Sequence, residues 1–587
     1  MNYYEIDEVK SYKELLARSV KLYKDQPVFR FKVTKNKKGE KPNIKELTYG
    51  EFNDEVTYLG TKLNNLELSN NRIGVIAKDR YEWLSVYMST IIGDKVIVPI
   101  DKGLPDNEII SLCQRSSVEV MFFEDKYKEV MKKIKDENLS NIKYFVNFDG
   151  GDEDFIDYKE FIKEGKEIFD GGDKSYLDIE ANTEEMRLMI FTSGTTSKSK
   201  AVMLSQSNIL SDLMNCCKLV KFNERESTLA LLPFHHTFQA ILNLLMFYIG
   251  GSICFCEGLK YIQQNLCEYE ITLFIGVPLI IESIYKRIMK QVDKEGKTKL
   301  VKNMCYVTDF LDKLHIRIKR KVFKSIHDAL GGHIRLIVSG AASIEPKLIK
   351  ELESLGFTVY QGYGLTETSP VISLENDFYH NKKGSVGKPI SCVDVKIIDQ
   401  DEKGIGEIIS KGPNTMIGYY ENEEATKECI DEEGYFHTGD LGYLDDGYLF
   451  ITGRKKNVIV QKNGKNIYPE ELETLIDHLP GVKQSLVYGK PTLDNDLDIA
   501  TKIVYNEEEM KDILGYTPIE KDIHEYMQKQ IKVINDNMPI YKRIRDIIVT
   551  KEDMILTTTG KVKRHEEIKR ILGKWTICEF FWKALQI

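Results

Sequence analysis

Apolar residues in the first quarter of the chain recur with two different periods. Residues Phe52, Val56, Leu59, Leu63 and Leu66 lie three or four positions apart, which predicts a helix over 50–66. Short apolar runs and further helical segments alternate after it. The predicted strands cover 72–77, 96–100 and 118–123, and the predicted helices cover 81–93 and 105–114. Strands that alternate with helices predict parallel β-α-β units.

The alternation continues through the middle of the chain. A helix is predicted over 208–219, and apolar runs predict strands over 229–233, 273–278 and 334–338. The charged stretch 286–324 predicts solvated helices.

The pattern changes beyond Gly387, where predicted strands shorten and turn signals arrive about every 8 to 12 residues, which indicates a small β-rich unit. The polar segment 453–457 then separates two apolar runs and is the best candidate for a hinge. The residues after it alternate helix and strand on a small scale. The sequence therefore predicts an α/β fold with a large N-terminal domain, residues 1–455, and a small α+β domain, residues 456–587.

Composition narrows the class of protein. The length of 587 residues exceeds what one hydrophobic core supports, and the net charge of −9 argues against a nucleic-acid partner. The longest apolar region, 240–255, is shorter than the roughly 20 residues of a membrane span, so we interpret it as core. The ten cysteines form no C-x-x-C pair, which favours reduced thiols over a zinc site. With no evident signal-peptide pattern at the start, we expect a cytoplasmic location.

A polar loop stands between the apolar runs 188–191 and 201–204. It consists of Thr192, Ser193, Gly194, Thr195, Thr196, Ser197, Lys198, Ser199 and Lys200. Backbone N–H groups, hydroxyls and two ammonium groups together suit a polyphosphate, and the glycine lets the backbone approach it. The spacing is not that of a Walker A motif, and a polar hairpin tip is the alternative.

Two stretches that follow predicted strands carry candidate catalytic groups. His235 and His236 lie at a strand end, where α/β folds place functional residues, although a buried histidine is the alternative. Residues 361–370 contain Tyr363, Thr366 and Glu367 among glycines. The carboxylate could hold Mg²⁺ and the tyrosine could stack on a base, whereas a plain glycine turn is the alternative.

Three further features are weaker when taken alone. The small residues around Gly340 would let a flat ligand approach the backbone. Asp440 is a lone carboxylate among apolar residues, suited to sugar hydroxyls or to a turn. Lys561 follows a glycine near the C-terminus and by itself indicates only a surface charge.

Four of these stretches, in this order, resemble the adenylate-forming superfamily. They are the T-S-G-T-T-x-K-x-K loop, the segment 363–367, the His-Thr-Gly-Asp run followed by Gly453-Arg454, and Gly560-Lys561. The similarity runs from about residue 47 to 564. The segment 362–372, GYGLTETSPVI, is most similar to the long-chain fatty acyl-CoA synthetase branch.

The resemblance implies an enzyme with a mobile C-terminal lid that rotates between two half-reactions. A carboxylate attacks the α-phosphate of ATP, giving acyl-AMP and pyrophosphate, and the thiol of coenzyme A then displaces AMP. By motif position, the residues that contact ATP would be Thr192, Ser193, Gly194, Thr195, Thr196, Lys200, Gly340, Tyr363, Gly364, Thr366, Asp440 and Arg454.

The remaining roles follow from the same resemblance. Thr192 and Glu367 would hold Mg²⁺, and His236 would lie beside the acyl carboxylate. Lys561 would bridge that carboxylate and the α-phosphate.

The lid is expected to turn about Lys456, and Gly464 would lie near the channel for coenzyme A. The sequence departs from the family at Ser197, Ser199 and Ala201, which replace Gly, Pro and Gly, and at Val460, where some members carry lysine.

We therefore predict an AMP-forming fatty acid–CoA ligase with ATP, coenzyme A and a medium- or long-chain acid as substrates. The residues Leu242, Leu244, Leu245, Met246, Phe247 and Phe274 are either an acyl tunnel or ordinary core. Alternative functions are transfer of the acyl group to a carrier protein and a silent nucleotide-binding relative. The aromatic tail 575–587 could contact a membrane surface weakly, or it could dock on its own domain.

Overall fold

The structure is a computed structural model that describes residues 4–33, 43–192, 199–378, 381–461, 465–492, 497–556 and 561–573. Within them the strands form two large sheets, a four-stranded sheet, a three-stranded sheet and a two-stranded ribbon. The predicted α/β class, with a large N-terminal part and a small C-terminal one, is confirmed. The division at residue 455 stays a prediction.

The first large sheet contains the predicted β-α-β units. Its strands, in order across the sheet, are Gly418–Tyr419, Lys200–Ser205, Met186–Thr192, Val96–Pro99, Arg72–Ile76, Val120–Phe123, Tyr144–Asn147 and Ile156–Asp157. Its middle strands run parallel, but Met186–Thr192 and Lys200–Ser205 form an antiparallel pair. The two apolar runs beside the polar loop are therefore strands, as predicted.

The second large sheet has a parallel centre with antiparallel strands at both edges. Its order is Lys388–Pro389, Val371–Leu374, Thr358–Gly364, Leu336–Ser339, Leu273–Gly276, Ser227–Ala230, Ser252–Phe255, Pro27–Lys32 and Ile44–Thr48. Thr358–Gly364 includes Gly362 and Gly364, so the glycines that suggested a turn extend the strand instead.

Helices connect and cover these sheets. They are Tyr12–Tyr23, Tyr49–Asn64, Tyr81–Ile92, Asp106–Ser116, Lys128–Asp136, Tyr158–Asp170, Gln206–Leu219, Thr237–Ile249, Ile262–Glu268, Pro278–Lys294, Thr298–Lys313, Lys319–Val322, Lys324–Asp328, Pro346–Ser354 and Glu423–Cys429. The helix predicted over 50–66 begins at Tyr49 because Thr48 and Glu51 form a capping box. Helix Thr237–Ile249 is buried almost all round, which confirms the core interpretation of this region.

One predicted strand ends early. The strand expected over 229–233 is Ser227–Ala230, and the chain has left the sheet before Pro233, which has no N–H group for a ladder hydrogen bond. His236 consequently lies on a loop and immediately precedes helix Thr237–Ile249, instead of lying at the strand end.

The remaining units follow residue 390. The predicted β-rich unit is an antiparallel sheet of Asp394–Ile398, Gly406–Lys411, Phe436–Asp445 and Tyr448–Arg454. The C-terminal part contains the ribbon Ile459–Val460 and Asn466–Ile467, the sheet Val482–Pro491, Leu497–Tyr505 and Ile544–Thr550, and helices Pro469–Asp477, Glu507–Leu514, Glu520–Asp536 and 564–573. Its buried apolar residues form two clusters of their own within 459–572.

Among the described residues, none of the helices combines the length and apolar character that a membrane span requires.

Candidate active site

The antiparallel hairpin of the β-rich unit brings three of the predicted site residues into direct contact. Asp440 and Arg454 are cross-strand partners in the hairpin, and Arg454 Nε lies 2.9 Å from Asp440 Oδ1. The hydroxyl of Tyr363, near the carboxyl end of Thr358–Gly364, donates to Asp440 Oδ2 at 2.8 Å. Both carboxylate oxygens of Asp440 are thus held in position before any ligand binds.

Burial dominates the electrostatics of this group. It raises the pKa of Asp440, while the charge of Arg454 and the hydrogen bond from Tyr363 act in the opposite direction. Burial and the neighbouring carboxylate raise the pKa of Tyr363, so the phenol remains a donor at neutral pH. Each carboxylate oxygen has further lone pairs, and a buried carboxylate with spare acceptor capacity suits a vicinal diol.

Lys561 of the C-terminal part reaches the same place. Its charge lowers the pKa values of both Asp440 and His236, so Lys561 lies near the two groups. Desolvation by the surrounding protein lowers the pKa of the Lys561 ammonium group, the charge of Arg454 lowers it further, and Asp440 acts in the opposite direction. The structure therefore joins a lysine of one part to a carboxylate–arginine pair of the other.

The two histidines are neutral at physiological pH. Burial, together with the neighbouring ring of His236, lowers the pKa of His235 to about 3, and His235 Nε2 lies 3.5 Å from Asp101 Oδ1. Burial also lowers the pKa of His236. The Nε2 atom of His236 is buried, and no described residue forms a hydrogen bond with it. A buried ring nitrogen beside Lys561 is suited to an oxygen of a bound acid.

Glu367 is held by a residue that sequence analysis did not identify. The hydroxyl of Tyr419 donates to Glu367 Oε1 at 2.9 Å, and the ammonium of Lys200 lies 4.6 Å from the centre of the same ring. Thr192 pairs with Lys200 in the strand ladder, and its hydroxyl donates to the Lys200 carbonyl at 3.4 Å. Tyr419 therefore ties the predicted metal ligand to the predicted phosphate-binding lysine.

The donors fit Mg²⁺ only in part. Glu367 and Thr192 offer a carboxylate and a hydroxyl oxygen, the ligand type that Mg²⁺ prefers. Within the described ranges no group of three His, Cys, Asp or Glu could hold a metal. A magnesium ion here would depend on substrate phosphates for further ligands, which is its usual way of binding in nucleotide sites.

At two of the predicted site glycines, neighbouring atoms leave no room for a side chain. A Cβ on Gly364 would lie 1.6 Å from the carbonyl oxygen of Pro370, so no other residue fits there. A Cβ on Gly340 would lie 2.8 Å from the ring of Phe238, so packing against this ring also favours glycine, and the approach of a flat ligand stays a prediction. Thr366 begins a short 3₁₀ turn directly after strand Thr358–Gly364.

A model of the AMP-binding enzyme family matches residues 16–420. The chain belongs to the AMP-binding enzyme family. Curated relatives are the fatty acyl-CoA synthetase B of Dictyostelium discoideum, 26% identical over 98% of this chain and 92% of that protein, and long-chain-fatty-acid–CoA ligase 5 of Rattus norvegicus, 28% identical over 90% and 84%.

Solved structures of AMP-binding enzymes share this fold. The anthranilate CoA ligase AuaEII in complex with anthranoyl-AMP superposes with a TM-score of 0.74 at 18% identity, covering 96% of this chain and 97% of that one. ATP-bound MatB from Rhodopseudomonas palustris gives a TM-score of 0.71 at 22% identity, covering 94% and 97%.

The C-terminal part of this AMP-binding enzyme meets the rest through polar contacts. His478 Nε2 lies 3.2 Å from Glu345, and Lys290 Nζ lies 3.2 Å from Asp512. The predicted hinge residue, Lys456, lies in the 3₁₀ turn Lys455–Asn457 between the two parts.

Some predicted residues cannot be placed. Ser193, Gly194, Thr195, Thr196 and Gly464 lie outside the described residues.

The acyl-tunnel candidates are packed as core. Phe247 contacts the rings of Phe52 and Phe29, with centroids 5.3 and 6.1 Å away, and Phe274 belongs to a second apolar cluster. The alternative of ordinary core is the one that the packing favours.

Proposed function

We propose that this AMP-binding enzyme converts a medium- or long-chain fatty acid to its CoA thioester in two steps. In the first, an oxygen of the acid attacks the α-phosphorus of ATP and pyrophosphate leaves. In the second, the sulfur of coenzyme A attacks the acyl carbonyl and AMP leaves. Relatives named as long-chain-fatty-acid–CoA ligases support this substrate class.

The observation that supports the proposal is that Lys561 lies near both Asp440 and His236, since its charge acts on the pKa of each. Joining a carboxylate to a phosphate brings two anions together, so the reaction requires positive charge at their meeting point. The ammonium of Lys561 supplies that charge. The buried Nε2 of His236 supplies a neutral hydrogen-bonding group on the side of the acid.

The nucleotide would lie along the group formed by Tyr363, Asp440 and Arg454. Asp440 would accept hydrogen bonds from the ribose hydroxyls, with Arg454 beside it, and Tyr363 would contact the adenine. Lys200, with the loop 193–196, would hold the β- and γ-phosphates, and Thr366 would contact the α-phosphate. Mg²⁺, held by Glu367 and Thr192, would neutralise phosphate charge and favour departure of pyrophosphate.

The test is pyrophosphate release from ATP with acids of eight to eighteen carbons, with and without coenzyme A. We expect one turnover without coenzyme A and continuous turnover with it. In Lys561→Ala the burst should fall by about 10²-fold or more, the usual cost of removing a charge-stabilising group. Lys563→Ala is the matched control because that lysine pairs with Glu566 at 3.3 Å on the surface.

Other outcomes assign another function. A burst that only an acyl carrier protein turns over would make the protein an acyl-AMP ligase that serves such a carrier. Absence of pyrophosphate with every acid, in a folded protein, would leave a relative that only binds nucleotide.

A further inference from the structure

Helix Thr298–Lys313 carries an apolar stripe on its exposed side. The stripe consists of Leu300, Met304, Val307, Phe310 and Leu314, which are 54, 38, 59, 62 and 55% exposed. Positions i, i+4, i+7, i+10 and i+14 share one face of a helix, so the stripe is continuous over about 21 Å at 1.5 Å per residue. Five adjacent large apolar side chains in water are unusual for a protein surface.

The opposite side of the helix explains why the stripe is not core. Val301 and Cys305 pack against the second apolar cluster, and Thr308 is buried. Asp309 accepts a hydrogen bond from Ser354 at 2.8 Å and forms an ion pair with Lys319 at 2.8 Å. The helix is thus attached firmly on one side, and its stripe faces away from the protein.

Basic residues predominate in the sequence that contains the stripe. Residues 286–324 contain thirteen Lys or Arg and four Asp or Glu, a net charge of +9 in a chain whose total is −9. The two acidic residues of the helix, Asp309 and Asp312, both form ion pairs with Lys319. In the described part of the chain, Lys299, Lys302 and Lys313 form no ion pair.

We propose that this surface, Leu300 to Leu314 with its surrounding lysines, docks the protein on an anionic lipid bilayer. Apolar side chains that enter the headgroup region, beside lysines that contact lipid phosphates, are the combination that holds an interfacial helix at a membrane. The strongly positive local charge argues against a second copy as the occupant, because two such faces would repel each other.

The position of the helix matches such a role. The preceding helix, Pro278–Lys294, begins directly after strand Leu273–Gly276, whose neighbour Leu336–Ser339 leads into Gly340. Along the chain, a single helix therefore separates the docking surface from a strand beside the candidate site. The proposal does not depend on which acid that site activates.

The test is flotation of the full-length protein with vesicles of phosphatidylcholine alone or of phosphatidylcholine and phosphatidylglycerol at 7:3. We expect binding to the anionic vesicles that weakens in high salt, and much less binding to neutral ones. The double variant Val307→Glu with Phe310→Glu should lower the bound fraction at least tenfold. The variant Lys299→Ser with Lys313→Ser should lower binding to anionic vesicles only.

The control for added charge is Val533→Glu with Ile519→Glu, since these side chains are 60 and 64% exposed on the C-terminal part. It should bind vesicles like the wild type. All variants should keep their melting temperature and their pyrophosphate release with octanoate, which shows that they are folded.

Three results would overturn the proposal. The first is no binding of the wild type to anionic vesicles. The second is unchanged binding of the Val307→Glu and Phe310→Glu variant, which would assign binding to another segment such as 575–587. The third is a dimer in light scattering that this variant dissociates, which would make a second copy the occupant.

Discussion

The two sides of the active site are built in different ways. On the large-domain side, Asp440 is buried and fixed by Arg454 and Tyr363, and Glu367 is fixed by Tyr419. On the other side stands Lys561, whose part of the chain contacts the large domain through pairs such as His478 with Glu345. One side is held by buried hydrogen bonds, and the other by contacts that water can replace.

This difference suggests how one site can serve two reactions. Under the proposed function, groups that hold AMP are needed in both half-reactions, so a rigid, buried setting favours them. Lys561 is needed only in the first half-reaction, when the acid meets the α-phosphate, so it can lie on a part of the chain that moves away afterwards. Partly exposed ion pairs each contribute about 0 to 1 kcal/mol, so such a part can separate at low cost.

The largest effect that separates the two sides is expected from Asp440→Asn. The variant loses the charge that strengthens hydrogen bonds to ribose and to Arg454, each worth about 1.5–3 kcal/mol. We expect both half-reactions to fall about 10²-fold, whereas Lys561→Ala affects only the first. The measurements are pyrophosphate release and, separately, thioester formation from supplied acyl-AMP.

Asp445→Asn is the matched control, because Asp445 ends the same strand and forms an exposed pair with Lys382 at 3.0 Å. We expect a change below about twofold. Loss of only the first half-reaction in Asp440→Asn would contradict the division between the two sides.

A smaller effect is expected from pH. The surrounding protein and Arg454 lower the pKa of Lys561 from the usual 10.5. The charge is present below that pKa and lost above it, so kcat/KM for ATP in the first half-reaction should decline tenfold per pH unit on an alkaline limb below pH 10.5. Lys561→Arg should move the limb upward, because arginine keeps its proton. An unchanged limb in that variant would assign the ionisation to another group.

The smallest effect is expected at the contact between the parts. Glu345→Gln removes the carboxylate that lies 3.2 Å from His478 Nε2 and should lower the first half-reaction less than about fivefold while leaving the second unchanged. Glu423→Gln, which breaks an exposed helical pair with Lys427, should change neither. A large loss in both half-reactions would mean that the contact also supports the fixed side.

Much of the fold could be predicted because the periodicities are strong and local. The helix from Tyr49 and the strands on either side of the polar loop are where the sequence placed them. The prediction of where the strand before His235 ends was wrong, because apolar residues continue through Leu232 after the backbone has left the sheet. The candidate site residues came from the resemblance; the structure brings Tyr363, Asp440 and Arg454 into contact, and their roles toward ATP stay a prediction.

The rest depends on contacts between distant segments. Tyr419 reaches Glu367 only because Gly418–Tyr419 pairs with Lys200–Ser205, and nothing near Tyr419 in sequence indicates that. The stretch 286–324 was predicted as solvated helices, which is right for the helices but misses the exposed stripe. Polar residues such as Lys302, Asn303 and Asp309 alternate with the apolar ones, so the exposed apolar face becomes evident only from the packing of the opposite side of the helix.

The cross-strand pairing of Asp440 with Arg454 also decides where this chain tolerates insertions. Extra residues in the turn at Asp446–Gly447 would lengthen the hairpin without disturbing that pair. A single residue added between Asp440 and Leu444 would shift the pairing of the two strands by one residue and turn the carboxylate to the other face of the sheet. Length variation among functional relatives should therefore concentrate at the tip of this hairpin and avoid its two strands.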